Sequence, residues 1–282
     1  MDDFFGLGKL SDNSVEVFKE IYPDLAQPAL RKVGIALEAT IDFTTIPFKY
    51  LGMVSKKADL KIKKNLNNYQ SKLDSIDSSE IGSVPPEIGV PILEELTRIT
   101  NEELTEMYIN LLVNASTVEN SRYAHPSFIN VLKNISSDEA KIIDFIMKNK
   151  NNLPIYIRYE RYNNVSAAVP ITDNINNISN LVDLSFPDNN SFYMKNLISL
   201  GIIEAKDLYY RFQVEQYESF EKSIKEIKED ANRIMKEMIE FERKNGEYAS
   251  KYELRGMWGH FKVTDYGKEF FKGITLIDKN NK

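Results

Sequence analysis

At 282 residues the chain has room for one large domain or two to three small ones. Its 36 Lys and Arg against 42 Asp and Glu leave a net charge of −6. That argues against a protein built mainly to coat nucleic acid, although a local basic face is compatible with it. The 42% hydrophobic and 28% charged residues are an ordinary globular mixture. Cysteine is absent, which excludes disulfides, thiolate metal sites and a Cys nucleophile. The two histidines, His125 and His260, exclude a site built on several imidazoles. The opening MDDFFGLGKLSDNS is acidic and has no long apolar core, so it does not read as a secretory signal. Together with the missing cysteine this makes the cytoplasm the expected compartment.

Three regions follow one another: a helical region over 1–84, a compact helical segment over 85–135, and a mixed helix-and-strand region over 136–282. In the first, Leu25, Ala29, Leu30, Val33, Leu37 and Ile41 recur at helical spacing, and Pro47 ends or kinks that helix. A polar helix is expected over about 50–75, with Lys56, Lys57, Lys61, Lys63 and Lys64 near its start. The segment after Pro85-Pro86 is the clearest helical pattern. Ile88, Ile92, Leu96 and Ile99 form one stripe; Leu104, Met107, Tyr108, Leu111, Leu112 and Ala115 form a second, opened by a Thr100–Glu103 capping box. His125-Pro126 starts a short helix, since Pro suits the first helical position.

Ser136 to Glu139 reads as another capping box, and residues 154–162 have the β-branched and aromatic alternation of a strand. Residues 191–200 read as a helix stopped by Gly201. Ile202-Ile203, Tyr209–Val214 and His260–Thr264 read as strands, and 265–271 as a closing helix. Between the last strands a single long helix is expected over about 216–244. Its apolar positions Tyr217, Phe220, Ile224, Ile227, Ala231, Ile234, Met238 and Phe241 alternate in steps of three and four, an unbroken heptad seam. Such a narrow seam packs on one partner helix, either the same helix of a second chain, giving a homodimer, or the polar helix of its own chain.

The order helix, Leu-Gly-Ile-Ile, strand, then Phe-Lys-Val-Thr-Asp-Tyr-Gly into a closing helix looks like a winged helix with the long helix inserted in its wing. The fold class is therefore mainly α with a small β component. Helix 191–200 would be the nucleic-acid reader of such a fold, but it carries one Lys and no Arg. A scaffold for protein contacts fits better, and nucleic acid is the weaker expectation. Lys56, Lys57, Lys61 and Lys64 are candidates for phosphate, acidic-lipid or partner contacts, against the plainer alternative of a solvated helix face. Trp258 and His260, in Gly256-Met-Trp-Gly-His260, are candidates for a partner surface, against a plain wing tip. His125 has a structural explanation at its helix start. No metal ligand set, cofactor loop or nucleophile motif is present.

The run Pro85-Pro-Glu-Ile-Gly-Val-Pro-Ile-Leu-Glu-Glu-Leu96, with Thr100-Asn-Glu-Glu-Leu104, Tyr108–Ser116, Ala124-His-Pro-Ser-Phe-Ile129 and Leu132–Ala140, resembles the bacterial abortive infection alpha family. Asp24–Gly34 and Pro47–Leu51 are similar too. The resemblance covers about residues 20–275. It implies a role in phage defence, in which an infected cell is arrested or killed before phage are released, and it carries no catalytic residues. The expectation is a protein that acts by binding rather than catalysis, needs no cofactor or metal, and meets an unknown protein partner or phage trigger. A membrane-active toxin working through the N-terminal helices, with peripheral membrane contact, and a nucleic-acid binder stay open beside it.

Overall fold

The computed structural model describes residues 31–43, 56–149, 153–163, 168–246 and 252–276. The expected apolar marks Leu25, Ala29 and Leu30 and the corner at Pro47 lie outside these. The chain is mainly helical with a small antiparallel sheet, and it divides into two compact units. One comprises 1–137 with 268–282, the other 138–267. The segment 85–135 thus belongs with the N-terminal helices, and residues 268–276 join them. Among the described residues no helix is long and apolar enough to cross a membrane.

The first unit is built from α1 (Arg31–Phe43), α2 (Lys56–Asp74), α3 (Pro86–Arg98), α4 (Glu102–Ala115) and α5 (Pro126–Lys133), closed by the end of α11 (Asp265–Ile274). The two expected apolar stripes become its core: Ile92, Leu96, Leu111 and Leu112 are fully buried, together with Leu37, Tyr69 and Leu73. Helix α1 approaches α3 at Gly89, where a Cβ would stand 2.2 Å from the Thr40 hydroxyl. The start of α4 falls one residue later than the expected box. Asn101, not Thr100, is the cap, its Oδ1 accepting from the Leu104 N–H at 2.8 Å. His125 caps α5, with Nδ1 accepting from the Ser127 N–H at 3.1 Å and Pro126 in the first helical position.

A helix leaves its last carbonyls without partners. In this unit, neighbouring helices supply the donors. Lys32 of α1 reaches the carbonyls of Leu73, Asp74 and Ile76 at the end of α2. Asn65 and Lys61 of α2 reach those of Leu96 and Arg98 at the end of α3, at 2.8 and 3.1 Å. Asn110 and Asn114 of α4 serve α11: Asn110 Nδ2 donates to Ile274 at 2.9 Å, and Asn114 Nδ2 to Gly273 and Thr275 at 2.8 and 2.9 Å. Gly273 fits there because a Cβ would meet the Tyr123 carbonyl at 2.7 Å.

The second unit starts with α6 (Ser137–Lys148) and β1 (Ile155–Tyr162). The short strands β2 (Val169–Pro170) and β3 (Ile175–Asn176) pair with β1, before α7 (Ile178–Leu181), α8 (Asn190–Ser199) and β4 (Ile203–Lys206). Helices α9 (Val214–Ser223) and α10 (Lys225–Lys244) come between β4 and β5 (Glu253–Val263). The sheet runs β2-β1-β5-β4, antiparallel throughout, with β5 at its centre. Ile155, Ile157 and Tyr159 share one face of β1 and pack against Tyr217, Phe220, Ile224 and Ala231.

Three features tie the unit together. Gly201, at φ 73°, ends α8 and turns the chain into β4. The Thr-x-x-Gly step works through close packing: Thr264 Oγ1 accepts from the Gly267 N–H at 2.8 Å, and a Cβ on Gly267 would stand 2.1 Å from the Ile202 carbonyl oxygen. The buried Asp138 of α6 accepts from the Ser185 and Phe186 N–H groups at 2.8 and 2.9 Å and from the Tyr193 hydroxyl at 3.1 Å.

Two expectations need correction. Residues 209–214 are not a strand; they form a 3-10 turn (Arg211–Gln213) that leads into α9. The single long helix is two, broken at Ile224 (φ −106°, ψ 26°). The Ser223 hydroxyl donates to the Phe220 carbonyl at 2.7 Å, the kind of side-chain competition that bends helices.

Two outcomes follow from these anchors. Asn114→Ala strips the Gly273 and Thr275 carbonyls of their donor and should lower stability by about 2 kcal/mol, measured by urea unfolding followed by circular dichroism. Burial alone would raise the Asp138 pKa, but the N–H groups of Ser185 and Phe186, with the Ser185 and Tyr193 hydroxyls, outweigh it and hold it down to about 2. The carboxylate's contribution is therefore complete above about pH 4 and lost as pH falls through about 2. Acid titration followed by Trp258 fluorescence should show this loss, and Asp138→Asn should remove that step.

Candidate partner-binding surface

Strand β5 sets Trp258 opposite Ile157 and His260 opposite Ile155, so both side chains lie on the sheet face that α9 covers. Trp258 is sandwiched from within: the Tyr217 ring of α9 stacks on it at 5.1 Å and 5°. The Tyr217 hydroxyl donates to the Gly259 carbonyl at 2.8 Å, and burial pushes its pKa up. Gly259 is the only residue type that fits its place, since a Cβ would lie 2.2 Å from Tyr156 Cζ and 2.5 Å from the Lys206 carbonyl oxygen.

The segment joining β4 to α9 folds over this stack. Its entry is fixed by Asp207, which accepts from the Tyr156 hydroxyl at 2.6 Å and from Arg158 at 3.0 Å. The Tyr156 hydrogen bond, then Arg158, hold the Asp207 carboxyl below its ordinary pKa. His260 fixes the next residue. Its Nδ1 lies 2.8 Å from the Leu208 carbonyl, which can only accept, so Nδ1 carries the hydrogen. Tyr209 then meets Trp258 edge-on at 5.4 Å. Tyr210 lies over His260 at 4.7 Å and against Phe212 at 5.3 Å and 19°.

The result is a ledge of four large side chains that face solvent on a rigid base. Leu208, Tyr209, Tyr210 and Phe212 are between 46% and 76% exposed. The base beneath them is buried and hydrogen-bonded. The imidazole nitrogen facing Leu208 is committed to a backbone carbonyl. The ledge offers aromatic faces and two phenol hydroxyls, the chemistry of a contact surface.

The sequence candidates Trp258 and His260 are thus brought together, as the floor of the surface rather than its exposed part. The exposed part, Leu208 to Phe212, falls mostly within Tyr209–Val214, the run whose composition reads as a strand. Its signal was the Tyr-Tyr-Arg-Phe run itself, too rich in large rings to be buried on a single sheet face. The lysine candidates belong to the first unit. Lys61 caps α3, and Lys64 pairs with Glu102 at 3.6 Å on the surface. Lys56 and Lys57 open α2, and their side chains lie outside those described. Of the seam residues, Tyr217, Phe220 and Ile224 are buried against their own sheet, Met238 is half-buried, and Ile227, Ile234 and Phe241 face solvent. Among the described residues no group of three His, Asp or Glu side chains stands close enough to hold a metal ion.

Trp258 is the only tryptophan, so it reports directly on this surface. Tyr209→Ala uncovers its ring edge and should shift its emission to the red, while the thermal midpoint moves by less than about 3 °C. An unchanged spectrum would show that Tyr209 does not cover Trp258. In comparisons with known proteins, no curated protein and no solved structure matches the chain. The family described as abortive infection alpha matches residues 57–274. That span takes in the first unit from α2 onward, the whole sheet and the aromatic ledge, and the chain belongs to the abortive infection alpha family.

Proposed function

We propose that this abortive infection protein acts by binding rather than catalysis, and that the Leu208–Phe212 ledge is the surface that meets its protein partner. The ledge carries the reading. Exposed Tyr and Phe side chains on a pre-ordered base lose little entropy on contact, and aromatic residues of this kind dominate binding energy at protein interfaces. Both histidines have structural work that supports the same reading: His125 caps α5 and His260 holds the Leu208 carbonyl.

The second unit's order of α6, β1, α7, α8, β4 and β5, with β5 between β1 and β4, supports a winged-helix scaffold with α9 and α10 inserted in the wing. Its α8 offers one cation, Lys195, and that is paired with Asp173 at 2.6 Å. The charge pattern therefore favours protein contact over nucleic acid. The partner binds in the cytoplasm of the infected cell, where the protein arrests or kills that cell.

The test is phage challenge of bacteria expressing the chain. The double variant Tyr210→Ser/Phe212→Ser should lose protection by at least about tenfold in plaquing efficiency, with Trp258 emission showing the fold retained. His125→Gln should protect as the unaltered chain does. Full protection by the ledge variant, or loss in a folded His125→Gln, would overturn the reading.

A further inference from the structure

The heptad seam of α9 and α10 splits in the folded chain. Tyr217, Ile224 and Ala231, with Phe220, are buried in the sheet core, and Met235 is buried beside them. The other row, Ile227, Ile234 and Phe241, faces solvent at 39%, 39% and 66% exposure. Steps of seven drift by only about 20° each, so these three form one line along α10, about 21 Å long. Asp230, Arg233, Glu237 and Lys244 flank the line on one side, and the side chains buried against the sheet flank it on the other, which confines any apolar contact to it. Helix α10 is meanwhile held to its own sheet by Ala231, Met235 and the half-buried Arg161–Glu242 ion pair. Covering the exposed line therefore requires no opening of the unit.

The line is symmetric about Ile234, seven residues from each end. A two-fold axis through Ile234 lays it on its own copy and lays Ile227 against the partner copy's Phe241, so a smaller side chain meets a larger one in both outer layers. The same operation sets Glu226, in the first turn, beside Lys244 of the partner copy, in the last turn, at both ends of the contact, where Lys244 also holds Glu240 of its own helix at 2.8 Å. It also opposes the two helix dipoles. A parallel pair would instead set Glu226 against Glu226 and Lys244 against Lys244. Near the axis Asp230 and Glu237 come to the contact already paired with Arg233, at 2.8 and 3.5 Å.

We propose that α10 is the dimer contact of this protein, an antiparallel pair of identical helices crossing at Ile234. A single line of this length buries less than the ~800 Å² per partner of a standard interface, so the dimer is expected to be a weak one that concentration reveals. It is distinct from the aromatic ledge and does not rest on the ledge's role.

Sedimentation velocity of the full chain between about 1 and 300 μM should show monomer passing to dimer. Ile234→Lys and Ile234→Glu should each stay monomeric with unchanged thermal midpoints, and their equimolar mixture should dimerise, because the two charges then meet across the axis. The chain has no cysteine, so orientation can be read by oxidation. Glu226→Cys mixed with Lys244→Cys should give a disulfide-linked pair, while neither variant links to itself. A chain that stays monomeric throughout, or an Ile234→Lys variant that dimerises like the unaltered chain, overturns the proposal. Self-linking of each variant alone overturns the antiparallel arrangement.

Discussion

Side-chain N–H groups donated across helix boundaries hold the first unit together. Each of α2, α3 and α11 ends on carbonyls that its own backbone cannot satisfy, and each receives an amine or carboxamide from a neighbouring helix. The energetics are asymmetric. A satisfied carbonyl gains little over water, but a buried one left bare costs about 1–3 kcal/mol. The donors therefore specify arrangement more than they add stability. Only one register of α4 against α11 puts Asn110 and Asn114, one turn apart, under successive carbonyls, whereas Leu and Ile side chains would tolerate sliding.

The second unit uses close backbone approach to the same end. Gly259 admits the Tyr156 ring, and Gly267 admits the Ile202 carbonyl. Between them run the last residues of β5 and the turn into α11, so that end of the strand cannot shift without collision. This rigidity passes to the ledge. Its floor is β5, its entry is fixed by Asp207, and its exit is the buried Gln213 that precedes α9. The exposed rings are held by elements that cannot yield.

The helical core was legible because its signal is periodic. The stripes at Ile88–Leu96 and Leu104–Ala115 depend only on which residues avoid water, and so do β1 and the Thr-x-x-Gly entry to α11. The corrections came where a local interaction overrode the period. Asn101 displaced Thr100 as a cap by reaching the Leu104 N–H. Ser223 broke the long helix by bonding back to Phe220, with no Gly or Pro to mark the place. The run Tyr209–Val214 has strand-forming residues, yet its rings gain more by stacking on Trp258 and His260, which are distant in sequence. The cross-helix donors were invisible for the same reason. A lysine such as Lys61 reads as solvated, and Asn110 and Asn114 read as poor helix formers, until the carbonyls they serve are in place. Half of the candidate surface could be seen in advance, as Trp258 and His260; the half that faces outward depended on the fold.

The two units also differ in when they can be finished. Residues 138–267 interrupt the sequence of the first unit, whose closing piece, from Lys268 onward, is made only after them. At about 5–20 residues per second, the ribosome needs roughly 7–26 s to make the intervening stretch. Throughout that interval Asn110 and Asn114 have no α11 to bind, and the face of α4 that will receive it stays open. The second unit, contiguous in sequence, can fold during the same seconds. A nascent chain can therefore carry a complete sheet and ledge before its helical core has closed, and synthesis that halts before Lys268 leaves the first unit without its closing helix.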